Sequence, residues 1–308
     1  MKRRIILAGG SGFLGNALAG KFIASGHEVF ILTRRPKNRN GVTEILWDAK
    51  SPGDWTKVVD GADVVINLTG KSVDCRYNKK NRREIISSRI DSTRILGEAI
   101  SRSANPPRVW LNSSSATFYK HSLNRPMDEA GETGFTPEAK DEFSVEVIRQ
   151  WENALNAAVT PRTRKVALRT AIVFARNGEA FRAFRTLARF GLGGAMVGGK
   201  QMVSWIHEMD FCRAIEYIIA NDSFRGPVNV AAPNPLPNSE MMRCFRKSSG
   251  VPIGLPATKW MLEIGAFVLR TETELLIKSR YVVPGKLQDS GFQFKFLKFS
   301  DALADLCK

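Results

Sequence analysis

Gly9, Gly12 and Gly15 are spaced G-x-x-G-x-x-G, after Arg4-Ile5-Ile6-Leu7-Ala8 and before Ala17-Leu18-Ala19-Gly20-Lys21-Phe22-Ile23-Ala24. The first run is a short apolar stretch that reads as a strand buried on both faces. The second reads as an amphipathic helix. Strand, glycines and helix in that order form the context a dinucleotide-binding turn needs, whereas the glycine spacing alone is weak. Such glycines let the chain turn tightly, let backbone amides approach a diphosphate and let the helix pack on the strand. The helix N-terminus then faces the phosphates with its partial positive charge, and Phe13 and Leu14 of the turn are expected among the cofactor-binding residues. The plainer alternative is a structural glycine turn.

A second apolar strand, Glu28-Val29-Phe30-Ile31-Leu32, runs into Thr33-Arg34-Arg35-Pro36-Lys37, with no acid until Glu44. An acid at this position holds the ribose hydroxyls of NAD, and basic residues there accept the 2′-phosphate of NADP. Arg34 is therefore expected to clamp that phosphate, with Arg35 or Lys37 adding charge, so NADP(H) is the cofactor read from the sequence. A solvated basic loop is the alternative. Asp48, after Ile45-Leu46-Trp47, either meets the adenine or ends a strand. A third strand, within Ala62 to Leu68, ends in Leu68-Thr69-Gly70, small enough for a cofactor to approach the backbone.

Residues 79–104 carry a long helical pattern, and Arg108-Val109-Trp110-Leu111-Asn112 is a strand ending in Ser113-Ser114-Ser115-Ala116-Thr117-Phe118-Tyr119. With the glycine turn and Asn67-Leu68-Thr69-Gly70, this order resembles an extended short-chain dehydrogenase/reductase. Further signatures are Ser88 to Thr93, Gln150-Trp151-Glu152, Leu168-Arg169-Thr170, Gly191 to Gly194, Ser204 to Asp210 and Val283 to Leu287. Together they resemble the atypical, epimerase-like subgroup of the NAD-dependent epimerase/dehydratase superfamily that ends in a C-terminal domain of unknown function. The resemblance implies an α/β Rossmann fold, a doubly wound parallel sheet, with a smaller and mostly helical C-terminal substrate-side domain. It implies NADP(H) binding in which Arg89 and Ser113 join the cofactor residues.

In ordinary members of that superfamily a Tyr and a Lys four residues apart share one helix face. The Lys binds the nicotinamide ribose and lowers the phenol pKa. Here the matching helix, 141–158, has neither; aligned on Trp151-Glu152 it offers Ser144 and Ile148. Serine is too weak an acid to replace a tuned phenol, and isoleucine donates no hydrogen bond. Of the parent pattern only a serine remains, best matched by Ser115, and Arg89 replaces the usual Asn. Arg89 is expected to bind an anionic substrate or orient water. Tyr119 is a candidate acid, against a packed role. His207 has a suitable unperturbed pKa, against a structural hydrogen-bonding role. Asp210 is expected to cap the helix 211–220, and Glu146 and Glu152 to be solvated. Catalytic candidates are thus Ser115, Arg89, Tyr119 and His207.

The chain of 308 residues is 43% apolar and carries a net charge of +16, concentrated in 1–40, 71–108 and 161–200. The basic residues are not interleaved with aromatics and follow no helix-turn-helix or zinc-finger spacing, so specific nucleic-acid binding is not expected. Cys75, Cys212, Cys244 and Cys307 form no C-x-x-C pair, which disfavours a metal cluster and a disulfide framework. No run of about 18 apolar residues suggests a membrane span, and a cytoplasmic location is expected. A Rossmann domain over 1–225, with part of the substrate pocket from about 175, would precede a small C-terminal domain over 226–308. Helices are expected near 238–248, 257–269 and 299–306. Phe181, Phe184, Leu187 and Phe190 alternate with Arg182, Arg185 and Arg189, which fits a core-facing helix or a substrate lid. The expected partner is a small molecule, anionic or a nucleotide sugar, and the chain is a monomer or a homodimer. The functional reading is an epimerase-like or oxidoreductase-like protein without the Tyr–Lys pair; the alternative is a non-catalytic NADP(H) sensor.

Overall fold

Strands with no polar alternation need cover on both faces, and the protein supplies it with helices. The computed structural model describes residues 2–258, 260–261, 272 and 274–308. In chain order β1 (Arg4–Ala8), α1 (Phe13–Ala24), β2 (Glu28–Thr33), β3 (Val42–Leu46), the short α2 (Thr56–Val59) and β4 (Val64–Asn67) come first. They are followed by α3 (Lys79–Arg102), β5 (Val109–Ser115), α4 (Glu142–Ala157) and β6 (Arg164–Thr170). Next come β7 (Ile172–Phe174), α5 (Glu179–Arg189), β8 (Met202–Val203), β9 (Trp205–His207), α6 (Glu208–Ala220) and β10 (Gly226–Val230). The C-terminal part adds β11 (Leu236–Pro237), α7 (Asn238–Ser248), α8 (Glu274–Ile277), α9 (Gly285–Asp289) and α10 (Phe299–Cys307).

Seven strands make one parallel sheet in the order β10-β6-β5-β4-β1-β2-β3. Alternate residues of each strand serve opposite layers. Ile5, Leu7, Val29 and Ile31 pack with Leu18 and Phe22 of α1 and Phe211 and Ile215 of α6. Ile6, Ala8, Phe30 and Leu32 belong to the other layer, with Ile95, Leu96 and Ile100 of α3 and Leu155 of α4. This is the doubly wound Rossmann arrangement. Among the described residues no helix is long and apolar enough to cross a membrane.

Two expectations change. The apolar run from Val166 to Val173, which as a sequence reads as one buried strand, is two strands, because the chain leaves the sheet at Ala171. The Ala171 amide bonds to the Val230 carbonyl, and the next amide, of Ile172, bonds to Ser204 instead. Residues 172–174 then pair with β9 in a separate two-stranded ribbon. The boundary at 225 falls ahead of the last strand of the large sheet, since β10 runs parallel to β6. Outside the large sheet, α5, α7 and α10 enclose an aromatic core of Phe174, Phe181, Phe184, Trp205, Phe245 and Phe299, drawn from both sides of residue 225. Phe174 stacks edge-on against Phe299 at 5.2 Å. The helix expected over 257–269 lies for the most part outside the described residues.

Candidate functional site

From β1 the sheet grows in one direction to β2 and β3, and from β4 in the other to β5, β6 and β10. Between β1 and β4 the strand order reverses, and a crevice opens beyond their carboxyl ends. The glycine turn occupies that place. Gly9 has φ +72°, and a Cβ on it would stand 2.9 Å from Thr69 Oγ1. Gly15 lets α1 sit on the turn, since a Cβ there would stand 2.4 Å from the Gly10 backbone. In front of Gly12 the space is open: a Cβ would meet only the Gly9 carbonyl oxygen, at 3.6 Å. Gly12 is also the N-cap of α1, and no side chain caps the helix. Its first amides are therefore directed into the crevice with the positive end of the dipole behind them.

Beside the turn, a cavity of about 690 Å³ is lined by Ser11, Asn16, Thr33, Arg34, Arg35, Lys37, Arg39 and Glu44. Arg39 is held by Asn16 at 2.9 Å and Glu44 at 3.3 Å. Glu44 also accepts the Lys37 amide at 2.7 Å, so the one acid in this wall is engaged by the loop itself. Ser11, Asn16 and Arg39 were not marked by the sequence, because only folding brings the glycine turn against the end of β2. Asp48 stays outside the cavity lining; its carboxylate accepts the Lys50 and Ser51 amides at 2.8 and 2.9 Å and closes its own exposed turn.

The main cleft, of about 690 Å³, brings together Phe13, Leu14, Leu68, Gly70, Arg89, Ser113 and Ser115. Ile85, Val147, Ile148, Trp151 and Ile172 give it apolar walls, and Lys71 and Arg182 add cations. Thr69 backs the Gly9 turn instead of lining the cleft. Buried Asn67 shapes this edge: its Nδ2 donates to Asn112 Oδ1 at 2.8 Å and its Oδ1 accepts the Thr69 amide at 3.1 Å. Arg89 donates to the Lys71 and Ile85 carbonyls at 3.1 and 3.0 Å, and its guanidinium stacks 5.0 Å from the Trp151 ring. Burial lowers its pKa to about 10, which leaves it a cation at neutral pH. Gly70 permits this packing, since a Cβ would come within 3.1 Å of the guanidinium carbon. Ser115 Oγ accepts the Thr117 amide at 3.2 Å.

Ser144 and Ile148, one turn apart on α4, both line the cleft. A residue absent from the sequence reading faces them. Tyr77, between β4 and α3, places its hydroxyl 3.5 Å from Ser144 Oγ, and Ser144 in turn donates to the Glu274 carboxylate of α8. The Tyr77 ring packs edge-on against Phe143 at 4.7 Å. Burial, then the nearby Glu274 charge, pushes the phenol up to about 12; burial also raises the Glu274 carboxyl. Behind this group, Lys278 pairs with the fully buried Asp141 and donates to the Thr117 carbonyl at 2.5 Å. Burial brings the Lys278 ammonium down to about 8. Ser144 and Glu274 are 130 residues apart, so no local pattern could have joined them.

Other candidates lie elsewhere. Tyr119 is 1% exposed and outside the cleft wall; its hydroxyl donates to Asn229 at 2.8 Å and accepts from Arg169 at 3.0 Å. Desolvation raises its pKa, and both of its hydroxyl partners lie away from the cleft wall. His207 is 2% exposed, stacks on Phe296 at 4.0 Å and caps α6 by accepting the Met209 amide at 3.0 Å. Asp210 is consequently not the cap: it accepts the Lys295 and Phe296 amides and ties the C-terminal segment to α6. Glu152 is not solvated but buried against Arg169. On α5, Phe181 and Phe184 enter the aromatic core while Arg182 reaches the cleft, so that helix serves both purposes.

The strand order and the crevice at its reversal define a Rossmann-type α/β protein. Residues 5–231 match the NAD dependent epimerase/dehydratase family, and residues 257–306 match a domain of unknown function, DUF1731. The chain belongs to the NAD dependent epimerase/dehydratase family. It is 29% identical over 307 residues to the epimerase family protein SDR39U1 of Mus musculus, covering 98% of this chain and 99% of that one. The crystal structure of human SDR39U1 (isoform 2) with NADPH superposes with a TM-score of 0.85 at 27% identity, over 99% of both chains. A nucleoside-diphosphate sugar epimerase from Corynebacterium glutamicum superposes with a TM-score of 0.77 at 26% identity, over all of this chain and 58% of that one.

Proposed function

We propose that this protein binds NADP(H) in the crevice between β1 and β4 and acts on a small molecule in the adjoining cleft, without a Tyr–Lys pair. The observation that carries the reading is the joining, at Ser11 and Gly12, of an uncapped helix N-terminus to a cavity walled by Arg34, Arg35, Lys37 and Arg39. The first suits a diphosphate and the second an additional phosphate on the adenosine ribose. The open space at Gly12 fits the approach of the diphosphate, and the NADPH in the human relative agrees with both. Leu68, Gly70, Arg89 and Ser113 extend the same wall toward the reacting end.

A nicotinamide bound there supplies hydride exchange with a carbon bearing oxygen. The protein's own groups would do the rest. Arg89 and Arg182 attract an anionic substrate, Ser115 offers a hydroxyl to its oxygen, and the apolar side chains of α4 exclude water. The sugar-nucleotide epimerase relative favours a nucleotide sugar as one such substrate. Calorimetric titration with NADPH and NADH tests the cofactor assignment. Tighter binding of NADPH is expected, and equal affinities would overturn it. A second reading, a redox-state sensor without turnover, is favoured by Ile148, which can hold no ribose hydroxyl. Reduction of any carbonyl compound by the native chain removes it.

A further inference from the structure

The cleft has lost the tyrosine of α4 but not a phenol. Tyr77 reaches the same wall from the segment between β4 and α3, with its hydroxyl 3.5 Å from Ser144 Oγ, and Ser144 joined to Glu274. We propose that Tyr77 is the proton donor of this cleft, that Ser144 and Glu274 form the relay that reloads it, and that the substrate is an anionic ketone or aldehyde. The proposal rests on the NADP(H) reading above.

Three features of the geometry support it. First, Tyr77 and Ser144 both line the main cleft, so the phenol can meet a bound substrate oxygen. Second, Tyr77 and Glu274 also line a second cavity of about 780 Å³, walled mainly by charged side chains that include Arg82, Glu142 and Glu146. The hydroxyl chain therefore leads from the cleft through Ser144 to a carboxyl with a polar exit. Third, the cleft wall holds Lys71, Arg89 and Arg182 against a single acid, Glu179, a balance that favours an anionic ligand.

The direction of the chemistry follows from what stands behind the phenol. In a Tyr–Lys site an ammonium stabilises the phenolate and makes the tyrosine a usable base. Here burial disfavours the phenolate and a carboxylate stands where the ammonium would, so the phenol keeps its proton until a stronger base forms beside it. An alkoxide developing from a carbonyl is such a base. In the reductive direction the carbonyl carbon accepts a hydride from the dihydronicotinamide, which is oxidised to the nicotinamide cation. The C=O π pair moves onto oxygen, and that oxygen takes the Tyr77 proton. A solvent proton then enters at the Glu274 carboxylate, and the resulting carboxyl passes it to Ser144 Oγ as Ser144 gives its own proton to the phenolate, which leaves Tyr77 a phenol, Ser144 a hydroxyl and Glu274 a carboxylate again. The site is thus built for reduction more than for alcohol oxidation.

The test combines binding, turnover and a spectroscopic readout that needs no substrate. NADPH affinity and NADPH oxidation with phenylglyoxylate, phenylpyruvate and 2-oxoglutarate are measured for the native chain and Tyr77→Phe. The native chain is expected to reduce at least one of them, and Tyr77→Phe to bind NADPH equally but turn over at least ~100-fold more slowly. With carbon-13 at Cζ the four tyrosines give a simple spectrum, in which Tyr77→Phe identifies one resonance. That resonance is expected to move in Ser144→Ala and in Glu274→Gln while those of Tyr119, Tyr217 and Tyr281 stay. No NADPH binding by the native chain would overturn the cofactor reading. Binding without reduction of any probe, or full activity in Tyr77→Phe, would overturn the proton donor and leave the cofactor reading standing. An unmoved Tyr77 resonance in both relay variants would overturn the relay.

Discussion

Glu152 on α4 and Arg169 on β6 form a buried, two-pronged ion pair, with both Arg169 Nε and Nη2 2.8 Å from a Glu152 oxygen. Ser114 adds a donated hydrogen bond to Glu152 at 2.6 Å, and Arg169 passes the network on to Tyr119. The pair thereby joins α4 to two central strands directly beneath the serine run that walls the cleft.

Removing one member of this pair leaves the other charge buried and alone. Glu152→Ala is expected to destabilise the fold by about 3–5 kcal/mol. Glu146→Ala removes an exposed pair with Arg149 on the same helix and should cost ~1 kcal/mol or less. Urea denaturation of the two variants measures the difference; equal losses would contradict the burial of Glu152.

Arg34 and Arg35 line the cavity that we assign to the 2′-phosphate. A charge-assisted hydrogen bond contributes about 1.5–3 kcal/mol. Arg34→Ala should therefore weaken NADPH binding by roughly 10- to 100-fold and leave NADH binding nearly unchanged. Calorimetry on the variant reads both affinities.

The glycines of α1 and its turn should respond oppositely to alanine. In Gly15→Ala the new methyl would collide with the Gly10 backbone, which cannot step aside. A stability loss of about 1–3 kcal/mol, with loss of nucleotide binding, is expected. Gly20 lies inside the same helix with nothing within 4 Å of its Cβ position, so Gly20→Ala should stabilise by about 1 kcal/mol. Thermal unfolding with and without NADPH separates the two outcomes.

Burial lowers the pKa of His207, although Asp305 and Asp210 beside it pull the other way and Lys295 adds to the lowering. Below its unfolded pKa of about 6.5 the unfolded chain then binds more protons than the folded one. The stability associated with neutral His207 is present above that pH and is lost as pH falls below it. His207→Asn keeps a side-chain acceptor for the Met209 amide and does not titrate. Its denaturation midpoint should depend less steeply on pH between about 5 and 6.5 than that of the native chain.

The glycine turn and the basic run beside it were legible in the sequence because they are built from local requirements. A turn that needs a glycine at φ +72° and a helix that starts without a capping side chain both lie within residues 9–15. The basic run at 34–37 lies at the end of a strand whose two-sided burial shows in its composition, and α3, α4 and α7 fall within two residues of their expected ends. The grouping of Tyr77, Ser144 and Glu274 was not legible. Tyr77, Ser144 and Glu274 come from a loop and two helices that meet only in the folded chain; Ser144 was marked by its place on α4, but nothing in the local neighbours of Tyr77 and Glu274 marks those two. Glu152 was misread for the same reason: helix periodicity and residue type do not tell whether a polar side chain points at water or at Arg169. Residue order determined where the backbone can turn and which strands need cover on both faces. Tertiary packing decided which ionisable groups are desolvated and what stands beside them, because burial and charge act through space, irrespective of distance along the chain.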